Sequence, residues 1–272
     1  MAPDSCGMPF LRLPARGAKP RSHGLTVVKD RRLATTAAAG LCETAADVVD
    51  WIKLTDHVGL IRDLDLGRLT ARIALYHETG LPVRPGGIPF QIAVLQRKEE
   101  AYLERLAELG FDGVEISEDS IERLSRSRKH ELIGRARDHG LAVFTELGEK
   151  ISSGPMDLDE TVERVRADLD SGASSVTLEN TDILVWCEDE PSALDRLVDR
   201  VGLASLVFEV RPAGWPHLTV DLLGRFGPEV SFENLLPDDA LVVESMRVGM
   251  TRDVGYWFLN DGAAKAAALE DA

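Results

Sequence analysis

Cysteine is scarce in this chain, with only Cys6, Cys42 and Cys187 in 272 residues. Three scattered thiols cannot build a disulfide framework, and no CxxC or Cys/His spacing suggests a zinc site. This usage points to free thiols in a reducing, cytoplasmic setting. Long apolar runs are missing too: none approaches the roughly 20 residues a spanning helix needs, which argues against a membrane protein. Residues 1–22 carry Arg12, Arg16, Lys19 and Arg21 among prolines and lack the apolar stretch of a signal peptide. Positive charge is in deficit. With 31 Lys+Arg against 46 Asp+Glu the net charge is −15, which disfavours nucleic acid and anionic membranes as partners. There is no GxGxxG or Walker loop, no HExxH pair and no GxSxG nucleophile motif.

What is present is a repeat. Lys53, Arg84, Glu115, Glu146, Glu179 and Glu209 close six apolar runs at steps of 31, 31, 31, 33 and 30 residues. A strand, a helix and two loops take about that many residues. Eight strands are expected, at 24–28, 49–54, 81–85, 112–117, 141–146, 174–179, 204–210 and 229–233. Between them lie amphipathic helices closed by glycines such as Gly110, Gly140 and Gly172. Alternating βα units with buried strands imply a parallel sheet, and eight of them imply an α/β fold of the (β/α)8 TIM-barrel type in a single domain. The expected boundaries are a disordered basic tail over 1–22, a barrel over 23–258 and a C-terminal tail over 259–272.

In such a barrel the strand ends converge on one mouth, the active face. Glu115, Glu146, Glu179 and Glu209 end strands 4 to 7, and carboxylates so grouped need a divalent cation, basic partners or protonation. Oxygen-only ligands favour Mg²⁺, whereas structural salt bridges with rim Arg and Lys residues are the competing reading. In RPGGIPFQ, Gly86 and Gly87 could present N–H groups to an anion beside Arg84, or could form a plain turn. Lys53 interrupts an apolar strand pattern, so it either reaches the rim or binds a ligand. Lys53, Arg84, Arg211 and Arg247 are candidates for a cationic cluster taking an anionic substrate. Lys150, in TELGEK, stands four residues beyond Glu146 and could donate a proton or clamp an anion.

The motifs GLTVV-KD, DWIKL, RPGGIPFQIAVLQ, LGFDGVEIS, TELGEK, GASSVTLEN, LVFEV and RFGPEVSFENL occur in this order over roughly residues 24–254. In this series the chain resembles the phosphosulfolactate synthase family. The resemblance implies a Mg²⁺-dependent barrel lyase of the cytoplasm that adds sulfite to phosphoenolpyruvate, giving phosphosulfolactate for coenzyme M or other sulfonates. It implies Lys150 as the acid that protonates C2, with Lys53 as a second catalytic residue. Arg84, Gly86, Gly87, Arg211, Asn234 and Arg247 are implied as contacts to substrate, and Glu115, Glu146, Glu179 and Glu209 as metal ligands. Partners are then small anions, and a homo-oligomer is compatible with the reading. The chain departs from the family pattern at Gln91, where an acidic residue is usual, at Glu118-Asp119 in place of Asp-Gly, and at Asn180 in place of Arg. Two alternatives stand beside this reading: a relative using another nucleophile or acceptor in a specialised pathway, and a non-catalytic stress or scaffold relative.

Overall fold

The eight expected strands form one parallel sheet, β1 Thr26–Asp30, β2 Trp51–Leu54, β3 Val83–Pro85, β4 Gly113–Ile116, β5 Ala142–Leu147, β6 Ser175–Leu178, β7 Leu206–Glu209 and β8 Ser231–Leu235. The structure is a computed structural model describing residues 8, 10–63, 65–148 and 156–267. Strand order is β3-β2-β1-β8-β7-β6-β5-β4. The seam between β3 and β4 is bridged by the Asp112 N–H, which donates to Val83 O at 2.9 Å. The molecule is therefore a nearly closed (β/α)8 barrel. No helix among the described residues is long and apolar enough to cross a membrane.

The helices are where capping chemistry puts them. The Asp157 side chain accepts from Glu160 N at 2.8 Å and opens Leu158–Asp170; the Ser125 hydroxyl accepts from Arg128 N at 3.2 Å and opens Arg126–Asp138. Gly110 and Gly140, at φ 84° and 79°, end their helices in the left-handed region that other residues enter at a cost.

Side chains alternate along each strand. Outward residues such as Val28, Ile52, Val114, Val143 and Val176 join helix residues Leu69, Leu103, Leu132 and Val165 in one buried cluster. Inward residues include Lys53, Arg84, Glu115 and Glu233. Barrels usually fill this space with branched apolar side chains; here a charged layer occupies part of it.

Strands β1 and β8 are each shifted two residues towards the C-terminus from the expected 24–28 and 229–233. Gly24 has φ +65°, outside the extended region, so β1 starts after it. The charged Lys29-Asp30 pair then stays inside the strand. Asp30, facing the helices, accepts from Tyr76 OH at 2.8 Å and pairs with Arg72 at 2.9 Å. The shift of β8 to Ser231–Leu235 sets Glu233 inside the barrel against Lys53 and Arg84 and Asn234 at the mouth.

The basic N-terminal segment, expected to be disordered, makes specific contacts across the opposite end of the barrel. Arg16 pairs with Glu244, Lys19 donates to Ala46 O at 2.7 Å, and Arg21 pairs with Asp50 at 2.9 Å. Beyond β8 the chain continues through the helix Asp239–Arg247 and then two short helices, Trp257–Asn260 and Ala263–Ala267.

Candidate active site

At the C-terminal ends of the strands lies a cavity of about 340 Å³, of the size of a small-ligand site. Its floor is an ion lattice. Lys53 on β2 pairs with Glu115 on β4 at 2.8 Å and with Glu233 on β8, while Arg84 on β3 bonds both of the same carboxylates. Two cations and two anions make this quartet neutral. Arg84 also lies with its guanidinium 4.4 Å from the Phe144 ring centroid. Burial disfavours charge on Lys53, but Glu115 and Glu233 outweigh it and hold the ammonium above the ordinary lysine range. Burial likewise opposes the Glu115 carboxylate, and Lys53 and Arg84 hold its pKa well below the usual range. Lys53 is thus a fixed cation in the cavity floor.

The acidic wall stands on β4 to β6. Asp119, Glu146 and Glu179 are all buried, and one oxygen from each lies within 4.8 Å of the others. Asp119 is brought there by the turn after β4. Glu118 anchors that turn, accepting from Leu124 N at 2.8 Å and pairing with Lys129 and Arg164. Gln91 then aims Asp119: its Nε2 donates to Asp119 Oδ1 and, at 2.7 Å, to Ser117 Oγ, while its Oε1 accepts from Ser120 N at 3.0 Å. Three hard oxygen donors so close suit a small divalent cation such as Mg²⁺. Glu209 stands beside this group. Burial and then the Glu146 charge push its carboxyl up to about 7, against a hydrogen bond with Glu179 that favours ionisation.

The predicted site residues therefore divide. Glu146, Glu179 and Glu209 come together on the acidic side, whereas Glu115 is placed in the floor quartet between Lys53 and Arg84. Lys53, Gly86, Gly87, Arg211 and Asn234 line the cavity; Arg84 is sealed beneath it, 0 % exposed. The two glycine amides are already engaged: Gly86 N–H donates to Leu54 O at 2.9 Å and Gly87 N–H to Glu115 Oε1 at 2.8 Å. Gly87 is needed for space instead, since an added Cβ would lie 2.8 Å from Ser117 Cβ. Arg211 forms a two-point pair with Asp239 at 2.7 and 2.9 Å and stacks on Trp215. Arg247 is at the other end of the barrel, donating to Val230 O at 2.6 Å and Leu25 O at 3.2 Å, so the fold does not bring it to the mouth. Lys150 lies outside the described residues.

Two residues of this site, Lys29 and Glu233, escaped the sequence reading, and Asp119 and the supporting Gln91 entered it only as departures from the family pattern. Lys29 and Glu233 sit 24 residues before Lys53 and 24 after Glu209, off the interval of about 31 that located the others. Charge at alternate positions of the first and last strands (Val27/Lys29 and Ser231/Glu233) was the available signal. For Asp119 the signal was its place in the altered turn after β4, which carries no role by itself because a loop carboxylate is usually solvated.

Known proteins share both sequence and fold with this chain. The family model described as (2R)-phospho-3-sulfolactate synthase (ComA) matches residues 14–253. The phosphosulfolactate synthase of Methanothermobacter thermautotrophicus is 30% identical over 249 residues, covering 88% of this chain and 94% of the relative. That of Methanocaldococcus jannaschii is 29% identical over 240 residues, covering 85% and 93%. Among solved structures, 3-dehydroquinate dehydratase from Enterococcus faecalis superposes with a TM-score of 0.54 at 15% identity, covering 82% of this chain and 93% of that one. A 2,3-dimethylmalate lyase gives 0.52 at 16%, covering 88% and 81%. These two likenesses speak to the barrel alone. With a match running almost from end to end of the barrel, the chain belongs to the (2R)-phospho-3-sulfolactate synthase family.

Proposed function

We propose that the cavity joins sulfite to phosphoenolpyruvate to give phosphosulfolactate. The observation that carries this is the two-sided mouth of a family member: a carboxylate trio on β4 to β6 faces cations on β1 and β2. Addition of sulfite to the methylene carbon builds negative charge on the substrate carboxylate. In this reading Asp119, Glu146 and Glu179 hold Mg²⁺, with Glu209 at their edge. When bound, the metal supplies Lewis-acid stabilisation of that charge.

The chain's own residues do the rest. Gln91 and Glu118 fix the Asp119 carboxylate, so the trio is preorganised rather than assembled on binding. Lys53, kept protonated by Glu115 and Glu233, provides a permanent positive potential under the substrate and is too basic to give up its proton readily. Proton delivery to C2 falls to Lys150, by resemblance to the family.

The test is turnover. Purified protein with phosphoenolpyruvate, sulfite and Mg²⁺ is expected to convert the phosphoenolpyruvate ³¹P signal to that of phosphosulfolactate, and Lys150→Ala to abolish the conversion. Absence of both turnover and Mg²⁺-dependent phosphoenolpyruvate binding would overturn the proposal. Binding of phosphoenolpyruvate without consumption of sulfite would point to another nucleophile.

A further inference from the structure

Among the described residues, four lysine and arginine side chains line the cavity: Lys29, Arg31, Lys53 and Arg211. Lys53 is neutralised by Glu115 and Glu233, and Arg211 by Asp239. Lys29 and Arg31 form no hydrogen bond or ion pair among the described residues. Lys29 is only 5 % exposed. On β1 it stands in register with Lys53 on β2, so a second ammonium sits beside the first without a carboxylate of its own. A lysine this deep is costly to keep charged unless an anion arrives to meet it. Arg31, two residues on, reaches the same cavity from the rim. Next to them on β8, Asn234 lines the cavity in the left-handed region, φ 61°, with its buried Oδ1 lacking a partner among the described residues.

We propose that Lys29 and Arg31 form the site for one doubly charged oxyanion of the substrates, either the phosphate of phosphoenolpyruvate or sulfite itself. This rests on the cavity being a phosphosulfolactate synthase site and names the groups that hold its anion. The balance of charge around the cavity points to these two residues. Arg84 and Lys53 carry their full complement of carboxylates in the floor, and the Gly86 and Gly87 amides are already bonded. Among the described residues that line the cavity, the β1 side alone offers positive charge without an ion pair. The carboxylate trio on β4 to β6 carries the opposite sign and would repel the same group. Burial, and then Arg31, Arg211 and Lys53, push the Lys29 ammonium down to about 8, against the attraction of Glu209, so it is still mostly protonated at neutral pH.

The experiment is a calorimetric titration of sulfate into the full-length protein and into Lys29→Met, at pH 7 and constant ionic strength with Mg²⁺ present. It is paired with KM values for phosphoenolpyruvate and sulfite. Loss of a charge-assisted contact is expected to weaken sulfate binding about 10- to 100-fold. KM is expected to rise by a similar factor for whichever substrate places its oxyanion there. A rise confined to sulfite assigns the site to the nucleophile; one confined to phosphoenolpyruvate assigns it to the phosphate. Mg²⁺ affinity and thermal stability are expected to survive the substitution, since an unpaired buried charge is replaced by an apolar side chain of similar length. Unchanged sulfate affinity with both KM values unchanged would overturn the site, as would a wild-type protein that binds no sulfate. If the wild-type protein turns over no phosphoenolpyruvate, the proposed reaction fails, and the sulfate titration still decides the anion site.

Discussion

Lys53 and Glu233 come from β2 and β8, 180 residues apart in the chain, and bond one another inside the barrel with side-chain exposures of 5% and 0%. Arg84 bonds the same glutamate, so a single carboxylate on β8 ties down cations from two strands. Removing it leaves two buried cations facing Glu115 alone. Glu233→Ala is therefore expected to lower stability by about 3–5 kcal/mol, measured by urea denaturation. A loss below about 1 kcal/mol would show that the quartet is not a structural unit.

Metal binding is expected to separate the two groups of acids. Glu146→Gln and Asp119→Asn are expected to weaken Mg²⁺ binding by about tenfold or more, read by calorimetry on the otherwise folded protein. Glu115→Gln is expected to leave Mg²⁺ affinity nearly unchanged and to lower stability instead, because its carboxylate serves Lys53 and Arg84. The reverse pattern would move the metal to the floor.

Gln91 offers a test of preorganisation. Its amide bonds Asp119, Ser117 and Ser120 at once while 2 % exposed. Gln91→Ala frees Asp119 to turn away without removing any carboxylate. Mg²⁺ affinity is expected to fall about 10- to 100-fold, the size typical for groups that orient metal ligands, while circular dichroism stays native. An unchanged affinity would mean that Glu118 and the turn suffice to hold Asp119.

The pH dependence of Lys29 has a definite sign. Its folded pKa of about 8 lies below the ordinary 10.5, chiefly through burial. The unfolded chain therefore holds more protons between these values, and stability rises with pH across that window. Relative to Lys29→Met, the wild-type protein is expected to gain stability from pH 8 to 10.5 in denaturation experiments. Sulfate affinity is expected to move the other way, falling above about pH 8 as the ammonium is lost. Parallel pH curves for the two proteins would place Lys29 in a solvated setting.

Much of this molecule is written locally. Apolar runs of four to six residues, helices closed by Gly110 and Gly140, and charges about 31 residues apart specify a parallel barrel and its working face, because backbone propensity and burial period act within a few residues. Glu146, Glu179 and Glu209 were legible for that reason. Tertiary structure decided how the charges pair. Whether Glu115 meets a metal or Arg84, and whether Arg84 meets a substrate or Glu233, depends on which strands face each other across the closed barrel, and Coulomb attraction in a buried layer acts on distance rather than on sequence spacing. Strand β1 and the turn after β4 follow the same logic: Lys29 and Asp119 read as ordinary loop charges along the chain, and only closure of the barrel puts one beside Lys53 and the other beside Glu146.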